Sequence, residues 1–242
     1  MSQRDGSGTP GLPSGLRHLR VAPYELFVDA TQGASGVQLQ FVNSGKTAAV
    51  FHVYSAIAPT SVKDYTLAVG TQLTDTWALA AGAGNDPTHD LTVTAPNGFL
   101  RRFTGSSAGT TQEVTACYEI KRGDLFLSFQ NSGRAACTFT VTDNSYGQSS
   151  QTFEVAPGST LRRGLSLAAS HSWYDLTVTS STDPAFTRRF AGHVETGLPS
   201  VSDPTLSTGA AAHLSANGTE GPVLFDQEGP DCVLRCSAVV PR

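Results

Sequence analysis

The sequence predicts an all-β protein made of two tandem immunoglobulin-like antiparallel β-sandwich units. Three observations predict this: an internal repeat of about 88 residues, apolar–polar alternation with a period of two, and turn residues at short intervals. The repeat runs through five blocks in one order. Phe41-Val42-Asn43-Ser44-Gly45 returns as Phe129-Gln130-Asn131-Ser132-Gly133, and Val50-Phe51-His52-Val53 as Thr138-Phe139-Thr140-Val141, both 88 positions on. Tyr65 to Gly70 keeps that offset against Phe153 to Gly158. His89-Asp90-Leu91-Thr92-Val93-Thr94 then matches Tyr174-Asp175-Leu176-Thr177-Val178-Thr179 at 85, and Phe99 to Gly105 matches Phe186 to Gly192 at 87. The slips are differences in loop length, the main one an insertion between Ala80 and Thr88 of the first copy.

Within each copy the segments read as strands. Val37-Gln38-Leu39-Gln40-Phe41 and Leu125-Phe126-Leu127-Ser128-Phe129 alternate so that one face is buried and the other wet, and Phe139-Thr140-Val141 does so in part. The Asn-Ser-Gly triplets read as tight hairpin turns that need left-handed backbone, and Pro96-Asn97-Gly98 as another, feeding Phe99 into the last strand. Each copy then holds roughly six or seven strands, as an immunoglobulin-like sandwich does. No segment sustains a helical apolar period; Ala78 to Ala83 comes nearest and is broken by glycine. The expected organisation is a linker over 1–20, a first unit over 21–109, a second over 110–198 and an irregular tail over 199–242. From about Thr208 the tail loses all periodicity.

Composition narrows the function classes. The formal net charge is −4 with only 16 Lys and Arg, and no basic stripe is visible, which argues against a nucleic-acid partner. No apolar run approaches the ~20 residues of a membrane-spanning helix. Met1 to Leu16 is polar and rich in Gly, Ser and Pro and does not read as a signal peptide. Four cysteines are too few for a disulfide scaffold in a chain of this size. Cys117 and Cys137 read as buried free thiols, with a bridge between them open only if their strands are neighbours. Cys232 and Cys236, without His or further Cys nearby, do not make a zinc site, and whether they pair is left open.

Several blocks carry a resemblance. Phe51-His52-Val53-Tyr54, Pro96-Asn97-Gly98-Phe99-Leu100-Arg101, Ser170-His171-Ser172-Trp173-Tyr174-Asp175-Leu176 and Gly192-His193-Val194-Glu195-Thr196-Gly197 with Ser200-Val201-Ser202-Asp203-Pro204 are such blocks. They resemble the duplicated C-terminal domain of bacterial phosphocholine-type phospholipases C, haemolytic and non-haemolytic, over roughly residues 15–205. The resemblance implies a partner: a large catalytic phosphoesterase domain, which does the chemistry in that family and has no counterpart in this chain. It also implies a secreted or periplasmic location as part of the parent protein. Residues beyond about 206, both tail cysteines included, match nothing in the family.

The candidate sites have bland readings beside sharp ones. Asp90 with Arg101-Arg102 and Asp175 with Arg188-Arg189 recur in both copies. They could hold a phosphate-bearing ligand, but read better as cross-strand ion pairs, with successive arginines on opposite faces. The six histidines (His18, His52, His89, His171, His193, His213) are scattered, and no nucleophile elbow, His-Glu-x-x-His or P-loop is present. His89 aligns with Tyr174, so that position does not demand a base. Trp77, Trp173, Tyr174 and Phe99 could present a platform for choline or lipid headgroups, but read as core between sheets, with one of the adjacent Trp173 and Tyr174 exposed. Asn217-Gly218-Thr219 is a formal glycosylation sequon. No catalytic, cofactor-binding or metal residue is assigned, and no cofactor is expected. The leading expectation is a non-catalytic accessory module that positions the catalytic domain or engages a membrane surface or partner. The alternative is a free-standing β-sandwich binding or adhesion protein that recognises a sugar or protein.

Overall fold

The structure, a computed structural model, describes residues 17–33, 36–58, 60–81, 87–106, 111–206, 224–225 and 233–237. The expected linker up to Leu16, the core of the Ala80–Thr88 insertion, His213, the sequon and Cys232 lie outside the described residues.

The chain is all-β. A short β1 (His18–Leu19) precedes seven longer strands: β2 (Leu26–Gly33), β3 (Gly36–Asn43), β4 (Ala49–Ser55), β5 (Val62–Leu67), β6 (Thr71–Trp77), β8 (Pro87–Thr94) and β9 (Leu100–Ser106), with a two-residue β7 (Ala80–Ala81) among them. The second set is β10 (Gln112–Glu119), β11 (Asp124–Asn131), β12 (Cys137–Asp143), β13 (Gln151–Val155), β14 (Ser159–Leu165), β15 (Trp173–Ser180) and β16 (Thr187–His193). Three short strands follow: β17 (Ser200–Val201), β18 (Leu224–Phe225) and β19 (Leu234–Arg235).

In unit 1, a β2-β3-β6 sheet packs on β5-β4-β8-β9; in unit 2, β10-β11-β14 packs on β13-β12-β15-β16. Alternation decides which side chains meet between the sheets. Phe41, Phe51, Val53, Val93 and Phe103 fill the first sandwich, and Leu127, Phe129, Phe139, Val178 and Phe190 the second. Copies of the same repeat position therefore sit at the same depth.

The units are fused. β9 pairs with β16 antiparallel, Leu100 opposite Ala191 through Thr104 opposite Thr187, so two half-sheets become one continuous nine-stranded sheet. Each unit's last strand thereby covers the other's open edge.

The Asn-Ser-Gly triplets are not hairpin turns. β3 pairs with β2 and β6, and β4 with β5 and β8, so the triplet carries the chain from one sheet to the other. Gly45 and Gly133 are not among the residues with positive φ. The fully buried Asn43 acts through its amide: Nδ2 donates to Thr47 O (2.9 Å) and Leu67 O (3.1 Å), while Oδ1 accepts from Gly45 N (3.1 Å). Asn131 repeats this with Ala135, Val155 and Gly133. Glycine is required because a Cβ on Gly45 would come within 2.6 Å of Pro23 O. Pro96-Asn97-Gly98 is the hairpin expected, with positive φ at Asn97 and Gly98 between β8 and β9.

The tail departs from the irregular reading where it is described. β17 pairs with β1, β18 with β14, and β19 with β10. Strands of two residues carry no readable period, so only pairing reveals them. The tail also corrects the cysteine reading: Cys117 is disulfide-bonded to Cys236, and among the described residues Cys137 is the buried free thiol.

Candidate functional site at the seam between the units

The β9–β16 seam buries two arginines. Arg101 and Arg188 point between the sheets and are 2% and 1% exposed, an environment that guanidinium groups enter only when fully hydrogen-bonded. Their contacts are related by the repeat. Nη1 of Arg101 donates to Leu100 O (2.8 Å) and across the seam to Ala191 O (3.0 Å); Nη1 of Arg188 donates to Thr187 O (3.0 Å) and across to Thr104 O (2.9 Å). Each guanidinium also lies over aromatic rings, Arg101 over Phe99 and Phe190, and Arg188 over Phe186 and Phe103.

The two differ in what neutralises them. Arg188 holds the Glu113 carboxylate bidentately, at 2.7 and 2.9 Å. Arg101 has no such carboxylate; its Nη2 donates to the hydroxyls of Tyr118 (2.8 Å) and Tyr174 (3.0 Å). Burial pushes the Tyr118 phenol well above its ordinary range, so it stays a neutral partner.

On the opposite face, Arg102 and Arg189 stand directly across from one another. Like charges so placed repel unless each is paired. Arg102 is bidentate to Asp90 (2.7 and 2.6 Å) and Arg189 to Asp175 (2.8 and 2.7 Å). Burial alone would raise Asp175; Arg189, Asn144 and Ser145 outweigh it and hold the carboxyl below its ordinary value. The aspartate–arginine sets are therefore ion pairs within one sheet, and the inner arginines are ties between units.

A third cluster was not legible in the sequence. His193 Nδ1 lies 2.8 Å from Glu195 Oε1, and Nε2 lies 2.8 Å from Ser200 Oγ. Glu195 Oε1 also accepts from Asn97 Nδ2 (2.6 Å), in the β8–β9 turn of unit 1. The connectivity is that of a serine–histidine–carboxylate relay, but its surroundings are those of a brace. His193 Nε2 also faces the His171 carbonyl at 3.2 Å, and Ser200 lies in β17, its backbone paired with Leu19. The sequence holds these residues in one motif and gives no sign that Asn97 of the other copy joins them.

The aromatics are core. Trp77, Phe99, Trp173 and Tyr174 are all buried, and the expected exposure of one of the last two is not found. Trp173 packs against His193, ring centroids 4.8 Å apart and tilted by 55°, and donates its indole N–H to Val201 O (3.0 Å). Turns and a tail strand cover it, which alternation within β15 cannot foresee. No group of three or more metal-ligating side chains occurs among the described residues.

A half-buried carboxyl and a buried imidazole off the seam titrate in opposite senses. Asp29 accepts from Ser237 of the tail, yet burial pushes its carboxyl up to about 6, Glu113 adding to the effect and Arg101 opposing it. His89 is 3% exposed, with neither ring nitrogen partnered among the described residues; burial, then the charge of Arg188, pushes its imidazole down to about 4. Between pH 3.8 and about 6 the folded chain keeps a proton on Asp29 that the unfolded chain has lost, so stability falls as pH rises. Between about 4 and 6.5 the unfolded chain carries a proton that folded His89 excludes, so stability rises with pH. Each term is about 3 kcal/mol, and the two oppose one another. By urea denaturation, Asp29→Asn should expose the His89 term as a gain of about 3 kcal/mol from pH 4 to 6.5; a flat profile for that variant would refute the pair of shifts.

A duplicated β-sandwich whose buried charges tie its halves together defines a class: a tandem-repeat all-β module. The family described as bacterial phospholipase C, C-terminal domain, matches twice, over residues 19–106 and 112–193, and the chain belongs to it. The chain is 40% identical over 207 residues to a non-hemolytic phospholipase C of Burkholderia pseudomallei, covering 82% of this chain and 29% of the relative. It is 35% identical to the non-hemolytic and 34% to the hemolytic phospholipase C of Pseudomonas aeruginosa, covering 83% of itself and 30% and 31% of those proteins. The chain thus spans less than a third of the length of these relatives.

Proposed function

We propose that the chain is a non-catalytic accessory module of an exported bacterial phospholipase C, serving to position the catalytic phosphoesterase portion. The observation that carries this reading is coverage: the chain corresponds to 29–31% of each named phospholipase C, and the matched family is by description their C-terminal domain. A tail pinned to unit 2 by a disulfide fits an oxidising compartment outside the cytoplasm. The exposed Val21, Leu198 and Leu206 flank the β1–β17 pair and supply apolar surface for the catalytic portion to pack on.

The purified chain should release no phosphocholine from phosphatidylcholine under conditions where the full-length Burkholderia pseudomallei relative does. Turnover approaching that of the full-length enzyme would overturn the reading. A serine-reactive fluorophosphonate should leave Ser200 unlabelled, as a brace requires. Pelleting of the chain with phosphatidylcholine or sphingomyelin vesicles would replace positioning by membrane engagement.

A further inference from the structure

The Pro96-Asn97-Gly98 turn does more than close a hairpin. Unit 2 closes the equivalent turn with Asp183-Pro184-Ala185: Phe186 N donates to Asp183 O at 3.1 Å, as Phe99 N donates to Pro96 O at 3.4 Å. Ala185 is not among the residues with positive φ, whereas Asn97 (63°) and Gly98 (71°) both are. One copy therefore makes this turn without an Asn-Gly pair. What sets the unit 1 turn apart is that it is pressed onto unit 2. A Cβ on Gly98 would come within 3.2 Å of the Trp173 ring, and Asn97 Nδ2 donates to Glu195 Oε1 at 2.6 Å.

Asparagine followed by glycine is also a reactive pair. The backbone nitrogen of the following residue can attack the asparagine Cγ and close a five-membered imide, and glycine, lacking Cβ, hinders that closure least. Gly98 is exposed, and its N–H has no hydrogen-bond partner among the described residues. The nucleophile is thus free, while the leaving group is held. A hydrogen bond to a carboxylate is of the short, charge-assisted kind, and it fixes the Asn97 amide against unit 2. Ammonia leaves only after Nδ2 gains a proton, and a carboxylate that accepts from Nδ2 opposes that gain.

We propose that Asn97 is a deamidation site gated by its hydrogen bond to Glu195, and that its product breaks the brace between the units. With the bond to Glu195 open, Gly98 N attacks Asn97 Cγ. The N–Cγ bond forms, the Cγ–Nδ2 bond breaks, and Nδ2 leaves as ammonia with the proton from Gly98 N. Water then opens the imide at either carbonyl, giving aspartate, or isoaspartate with the backbone routed through the side chain. Either product replaces the amide donor with a carboxylate. In the aspartate product two like charges face each other where a hydrogen bond stood. Undocking of the units, which frees Asn97 from Glu195, thus leaves a covalent mark that opposes redocking.

The test incubates the intact chain at mildly alkaline pH and maps aspartate and isoaspartate at position 97 by mass spectrometry of the tryptic peptide that ends at Arg101. The folded parent should react slowest. Glu195→Ala should deamidate Asn97 about tenfold faster, the population ratio set by losing one charge-assisted hydrogen bond. Glu195→Gln, which keeps the shape and a neutral acceptor, should react faster in the same direction if the alanine variant does not fold. The consequence is read separately by urea denaturation. Asn97→Asp should lower the midpoint, and adding Glu195→Gln should restore it, as a carboxylate–carboxylate contact requires. The proposal is overturned if neither Glu195 variant deamidates faster than the parent. It is equally overturned if Asn97→Asp leaves the midpoint unchanged, or if Glu195→Gln does not restore it.

Discussion

Arg188→Ala is expected to destabilise the chain by about 3–5 kcal/mol, the cost of removing one partner from a buried ion pair. The loss is not the pair's own net worth. It is the Glu113 carboxylate left with no guanidinium, together with the Thr104 and Thr187 carbonyls left without Nη1. The cation also sits over Phe186 and Phe103, so those rings lose packing as well. Because Thr104 lies on β9 and Arg188 on β16, the damage should concentrate at the seam. Hydrogen exchange of the β9 and β16 amides should accelerate more than that of β3 or β11. Asp90→Ala is the control. It removes the partner of Arg102, whose side chain is 45% exposed, and should cost about 0–1 kcal/mol. Equal losses from the two variants by urea denaturation would mean that the seam arginines are no tie at all.

Loss of the Cys117–Cys236 disulfide, by reduction or by Cys236→Ser, should cost about 2–5 kcal/mol. The chain-entropy argument places it toward the upper end, because the bridge closes a sequence separation of 119 residues. The bond also fastens β19 to the edge of β10, where Glu119 accepts from Val233 N (3.1 Å) and Ser237 donates to Asp29 on β2 of unit 1. Releasing the tail removes the Ser237 hydrogen bond that holds the Asp29 carboxyl down against its burial, so the Asp29 titration should shift, an NMR-readable change apart from the stability loss. A Cys236→Ser variant with unchanged urea midpoint and unchanged Asp29 titration would show that the tail adds nothing to the folded unit.

Much of this molecule is legible without coordinates. The five repeat blocks and their alternation are local properties. Any chain carrying Phe41 and Phe51 in one copy and Phe129 and Phe139 in the other, at these periods, must bury those rings between two sheets. The ion pairs of Asp90 and Asp175 were legible for the same reason, since each partner lies one hairpin away on the same sheet face. Asn43 and Asn131 were visible as turn residues but misread, because a side chain tying one sheet to another looks in sequence like a residue bending a hairpin.

Tertiary structure alone decided the rest, and in each case the reason is a contact between segments that share no local pattern. That β9 pairs with β16 depends on two edges finding each other, and it is this pairing that turns Arg101 and Arg188 from surface charges into buried ties. Cys117 meets Cys236 rather than Cys137 because β19 lies beside β10. Asn97 joins His193, Glu195 and Ser200 only once the units are docked.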